Sequence, residues 1–175
     1  MKKLIALILS LVLVLTLVAC GAKSTGDVKT VEGTMEELAN KIVEQNPVEF
    51  MGGVIPVDLT DTSEDGLWAL TWNTGLTSGE KLTDIAVYEP MIGSMAFSMV
   101  LVRVADANDA KSVAQEMSDN IDTRKWVCVE ANEKLVVGYG DVVMLIMLNS
   151  ASGMTAQSFV DAFAKVAGFE PEFVM

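Results

Sequence analysis

The sequence predicts an α+β fold: a mainly antiparallel sheet of about five strands with helices packed on it, in the order α-α-β-β-α-β-β-β-α. Three observations carry this reading. Segments with apolar residues at helical spacing, each preceded by a capping residue, alternate with short, strongly apolar runs of strand length. Tight turns join several of the strand runs, which favours antiparallel neighbours. Residues 34–175 then have the size of one domain, enough to bury a proper core.

The elements follow in order. Thr34 and Glu37 make a capping-box pair, and Met35, Leu38, Ala39, Ile42 and Val43 recur at helical spacing until Asn46 and Pro47 stop the run. Residues 48–57 carry Gly52, Gly53 and Pro56 and are expected to be a loop with buried apolar anchors. A short helix is expected from Thr62 or Ser63 to about Trp72. Glu64 and Asp65 sit at the positive end of its dipole, with Leu67, Trp68, Leu70 and Trp72 partly buried. Residues 84–89 read as a strand closed by Pro90. Residues 95–104 are apolar on both faces except at Ser98 and Arg103, which places that strand under cover on both sides.

Asp106 to Asp109 then open the most regular helix of the chain, whose apolar stripe is Ala110, Val113, Ala114, Met117 and Ile121. Arg124 and Lys125 are expected to complete it with positive charge at the negative end of its dipole. Residues 126–131 and 134–139 read as strands, and Gly140-Asp141 is a two-residue hairpin signal leading into the very apolar strand 142–148. Thr155 caps a last helix bearing Phe159, Val160, Phe163 and Val166, with Gly168 past its end. The tail, residues 169–175, keeps Phe169, Phe173 and Val174 and is expected to dock on the body.

Much chemistry is excluded by composition. The chain has no histidine, which removes Ser-His-Asp triads and histidine-based zinc sites. Cys128 lies in an apolar run with no base to activate it and is expected to be a small buried hydrophobe. Asp58, Asp61, Glu64 and Asp65, with Ser63 among them, form a dense acidic cluster. Aligned as a calcium loop from Asp61, however, it has Trp72 where a bidentate glutamate is required. Helix capping is the ordinary reading of those residues. Met91, Met95 and Met99 are spaced by four and could hold copper from one strand face, but thioethers without histidine or cysteine more often fill core gaps. No metal, cofactor or catalytic pair is expected. Trp68, Trp72, Tyr88 and Trp126 lie at element ends and are the candidates for a partner surface, with burial of each the ordinary alternative.

The first stretch bears on location. Lys2 and Lys3 precede a long apolar run, which ends in Leu17-Val18-Ala19-Cys20. As a helix, residues 4–19 would span about 24 Å, short of the ~30 Å hydrocarbon core. The order is that of a secretory signal, and the final tetrapeptide resembles the bacterial lipobox. That resemblance implies diacylglycerol transfer to the Cys20 sulfur, removal of residues 1–19, and a mature chain held to the membrane by lipid. Residues 20–33 are then expected to be a lipidated cysteine and flexible tether, and residues 34–175 a single domain. Loss of residues 1–19 removes two of the 12 basic residues and none of the 24 acidic ones, taking the formal charge from −12 to −14. Such a surface repels phosphate backbones and anionic lipid heads, so no nucleic-acid partner is expected.

Residues 82–148 are similar to a family of small lipoproteins of Gram-positive bacteria known only by a domain of unknown function. The carriers are Ala86 to Ile92 (AVYEPMI), Val100 to Val104 (VLVRV), Ala105 to Ala110 (ADANDA), Lys125 to Glu130 (KWVCVE) and the Gly140-Asp141 turn. The resemblance implies a lipid anchor on a small α+β domain at the outer face of the cell membrane, and it supplies no catalytic residue. The expected function is therefore a non-enzymatic binding module of the cell envelope. Its partners would be the membrane through Cys20 and an envelope protein or small-molecule ligand. The alternatives are a small metal-dependent hydrolase using the Asp58–Asp65 cluster, and a ligand-binding accessory subunit with a pocket lined by Trp68, Trp72 and Tyr88.

Overall fold

The computed structural model describes residues 29–175. Its elements are α1 (Met35–Gln45), β1 (Gly52–Ile55), α2 (Glu64–Thr74), β2 (Leu82–Pro90), β3 (Phe97–Val104), α3 (Ala110–Asn120), β4 (Glu133–Tyr139), β5 (Val142–Leu148), α4 (Ala156–Ala167) and β6 (Phe173–Val174). The strands form one sheet in the order β1-β2-β3-β5-β4-β6, and every pair is antiparallel. The α+β class and the mainly antiparallel sheet follow the sequence reading, with six strands in place of about five. No helix among the described residues is long and apolar enough to cross a membrane.

Period-two alternation in β3 and β5 explains the layering. Met99, Leu101, Met144 and Ile146 point to one face, where α1 supplies Met35, Leu38 and Ile42 and α4 supplies Phe159, Val160 and Phe163. Val100, Val102, Val143 and Leu145 point to the other, under Leu70 of α2 and Val113 and Met117 of α3. Both central strands are covered twice, so neither alternates apolar with polar as a half-exposed strand does. Helix ends follow the expected chemistry: Thr34 and Glu37 close a full capping box, Ser63 accepts from Gly66 N, Thr155 accepts from Ser158 N, and Gly75 and Gly168 are left-handed C-caps.

Four expectations are corrected. Residues 48–57 are not all loop, because residues 52–55 pair with β2 as an edge strand. Met91 N donates to Met51 O, which puts Pro90, the last residue of β2 and beyond its ladder with β3, opposite Gly52 at a position needing no donor, and Gly52 is tolerated on the edge strand. Residues 126–131 are not a strand. Both sides of β4 are taken, by β5 and by the tail strand β6, so no ladder is open to them. Cys128 accordingly sits in an irregular loop with φ 63° and is exposed, not buried. Helix α3 ends at Asn120, so Arg124 and Lys125 lie beyond it. The element order is thus α-β-α-β-β-α-β-β-α-β.

The segment expected to be tether is anchored over its last residues. Val31 N donates to Asp141 Oδ1 at 3.0 Å, and Arg103 Nη2 donates to the carbonyls of Val31 at 2.6 Å and Gly33 at 2.8 Å. Gly140, at φ 60°, carries the β4–β5 turn. A Cβ there would lie 1.8 Å from Lys29 O, so the hairpin glycine also makes room for the incoming chain. The chain therefore joins the domain at the Asp141 end of the sheet, on the face of α1 and α4. Met91, Met95 and Met99 do not share a strand: Met91 is an exposed turn residue, and only Met99 is fully buried in β3.

Candidate functional site

Helix α2 buries part of its polar C-terminal turn and turns both of its tryptophans outward. Leu70, Asn73 and Thr74 are buried, whereas Trp68 is 62% exposed, Leu67 40% and Trp72 39%. Asn73 Nδ2 and Thr74 Oγ1 satisfy themselves on the carbonyls of Ala69 and Leu70, one turn back. That lets this polar stripe pack without unpaired donors. Trp68 and Trp72, four residues apart, stack at 5.2 Å between ring centroids and 21° between planes. The result is an aromatic wall open to solvent.

The stretch of chain that carries it has one sign of charge. Between Lys41 and Lys81 there are seven acidic residues and no lysine or arginine. None of the seven is in an ion pair among the described residues. Asp58 accepts from Thr60 N at 2.8 Å and Thr60 Oγ1 at 2.6 Å, and Asp61 accepts from Ser63 N at 2.9 Å. The side-chain bonds from Thr60 and Ser63 hold the two carboxyls below the usual carboxylate range. These aspartates shape turns. Among the described residues no three histidine, cysteine, aspartate or glutamate side chains converge as a metal site.

A buried polar cluster lies where α2 meets the far end of the sheet. Lys125 Nζ is 2.5 Å from Glu89 Oε1, 3.3 Å from Ser98 Oγ and 3.4 Å from Asn73 Oδ1, with its side chain 1% exposed. Burial lowers the lysine pKa, and the Glu89 charge opposes that shift. An ammonium held by a carboxylate is a donor rather than a base, and Ser98 is completely buried, so the arrangement pins residues 121–132 to the sheet rather than arming a nucleophile. Sequence reasoning did not assemble this cluster. Its signal was Ser98, a hydroxyl in a strand otherwise apolar on both faces, which demands a buried partner.

The candidate partner residues separate. Trp68 and Trp72 come together. Trp126 lies half-buried beside Lys125, whose Nζ is 5.6 Å from its ring, and is joined to α2 through the Lys125–Asn73 contact. Tyr88 is not exposed: it is buried on the opposite face of the sheet, edge-on to Phe97, because β2 sends Tyr88 and Glu89 to opposite sides. A pocket lined by Trp68, Trp72 and Tyr88 is thereby ruled out. A groove of about 550 Å³ lies elsewhere, between Asn46, Pro47, Phe50, Met95 and Met154. Cys20, the expected lipidation site, lies outside the described residues. No protein-family model matches the chain, and neither a curated protein nor a solved structure matches it.

Proposed function

We propose that this protein is a lipid-anchored, extracytoplasmic lipoprotein whose folded domain is a non-enzymatic module that binds a protein of the cell envelope. The observation that carries the binding role is the stacked Trp68–Trp72 wall on α2. Burying a large apolar side chain stabilises a fold by roughly 1.5–3 kcal/mol, and this domain leaves Trp68 mostly exposed and the stacked Trp72 partly exposed on one helix face. Anchoring rests on the order of charge, apolar run and Leu17-Val18-Ala19-Cys20 at the start of the chain. Two acyl chains suffice for stable residence, so the domain needs no membrane surface of its own.

The geometry of the attachment supports the same reading. Nine peptide units separate Cys20 from Lys29, a reach of about 31 Å extended and about 17 Å as a coil. The chain joins the domain on the face of α1 and α4, while the indoles stand on α2, across the sheet.

The test is photocrosslinking in cells from a benzophenone amino acid at position 68, with position 165 on α4 as the exposed control. A reproducible adduct with one envelope protein from 68 and none from 165 is expected. Equal or absent adducts would remove the binding role. Mass spectrometry of native material checks the anchor: an unmodified chain still beginning at Met1 would remove it.

A further inference from the structure

The wall on α2 is not merely apolar. Glu64 stands one turn before Trp68, at i−4, and Asp65 at i−3, both exposed on the helix that bears the indoles. The nearest basic residues in sequence on either side are Lys41 and Lys81, and the carboxylates between them have no cationic partner among the described residues. An indole face is the negative pole of the ring quadrupole, and adjacent carboxylates add to it, so together they select a cation.

Shape narrows the cation further. Two rings stacked nearly in parallel form a wall rather than a cage, and a small quaternary ammonium ion is held by enclosing aromatic walls. A guanidinium is planar, stacks on an aromatic face, and keeps donors free at its edge for a carboxylate. A bilayer fits poorly, since anionic headgroups would meet Glu64 and Asp65 on the same helix, and interfacial tryptophans are ordinarily flanked by lysine or arginine.

We propose that the Trp68–Trp72 face of α2 binds an arginine-bearing basic segment of a partner protein, with a guanidinium stacked on the open face of Trp68 and hydrogen-bonded to Glu64 or Asp65. This rests on the binding-module reading above and names the chemistry of its partner.

The experiment titrates the full-length chain in non-ionic detergent with a decapeptide of alternating glycine and arginine, followed by indole emission. Saturable quenching is expected, weakened by salt and absent with the glycine–glutamine counterpart. Trp68→Ala, at a mostly exposed position, should keep the thermal midpoint and weaken binding about tenfold. Glu64→Gln with Asp65→Asn should weaken it about fivefold. Equal response to the glutamine peptide, unchanged binding by Trp68→Ala, or no saturable response overturns the proposal. So does a blue shift on reconstitution into phosphatidylglycerol vesicles that Trp68→Ala abolishes, since the face would then belong to the membrane. A protein adduct from position 68 with no arginine-peptide binding removes the partner chemistry and leaves the module standing. Absence of both removes both.

Discussion

Lys125 is a buried charge held by Glu89, Ser98 and Asn73. Its ammonium is out of water, and the Glu89 carboxylate at 2.5 Å offsets that burial. Lys125→Met should cost about 3 kcal/mol, the low end for a broken buried pair, because the Glu89 side chain keeps 14% exposure. Adding Glu89→Leu should recover most of that loss in urea denaturation. Failure to recover would mean that the pair contributes more than mutual neutralisation. Tyr139 gives the complementary pH test. Its hydroxyl donates to Val160 O at 2.8 Å, and burial first, then Glu170 and Asp161, pushes its pKa well above the usual 10. A raised folded pKa contributes stability in full below the unfolded value, and that contribution begins to be lost as pH climbs past 10 and goes on falling toward the folded value. Urea stability should fall from pH 8 to pH 11, and Tyr139→Phe should flatten the fall while costing about 1 kcal/mol at neutral pH. Lys125 shifts in the opposite sense, so the difference between wild type and Tyr139→Phe isolates the tyrosine.

At the scale of elements, the helices were readable and three strand assignments, at residues 52–55, 126–131 and 173–174, were not. Helices α1, α2 and α4 announce themselves within a turn of their own ends, through Thr34, Ser63 and Thr155 in front and Gly75 and Gly168 behind, whereas α3, without a side-chain cap, is read from its apolar stripe. Strand identity depends on a neighbour. Residues 52–55 became β1 because β2 offered an edge, and residues 126–131 failed to become a strand because β6 closed the edge they would have used. The cost of that loop is visible at Cys128, a side chain with φ 63°. Cys128→Gly should gain about 1 kcal/mol by removing the Cβ penalty. The native thiol should react with maleimide without denaturant, and a need for denaturant would mean that the loop is packed as the strand it was expected to be.

At the scale of the whole molecule, Arg103 decides where the domain begins. One guanidinium reaches Asp141, Val31 O and Gly33 O, tying the incoming chain to the hairpin that ends the central strands. Arg103→Gln should cost about 2 kcal/mol and open the bond after Lys29 to trypsin, read by mass spectrometry of the digest. Resistance equal to wild type would show that Lys29 over the Phe169 ring and the fit at Gly140 hold the segment alone. Arg103 and Ser98 were both conspicuous as polar interruptions of an apolar strand, yet their partners lie 38 and 27 residues away, at Asp141 and Lys125.

By itself the amino-acid order determined the four helices, the central strands, the hairpin at Gly140 and the fold class. Those are set by interactions within a few residues and by the period of apolar side chains. Only the tertiary structure decided that Tyr88 is hidden, that Lys125 is buried against Glu89, that residues 29–33 belong to the body, and that Trp68 and Trp72 face water together. Each of those depends on which surface happens to be vacant once the sheet has closed, and no local pattern records a vacancy made by distant chain.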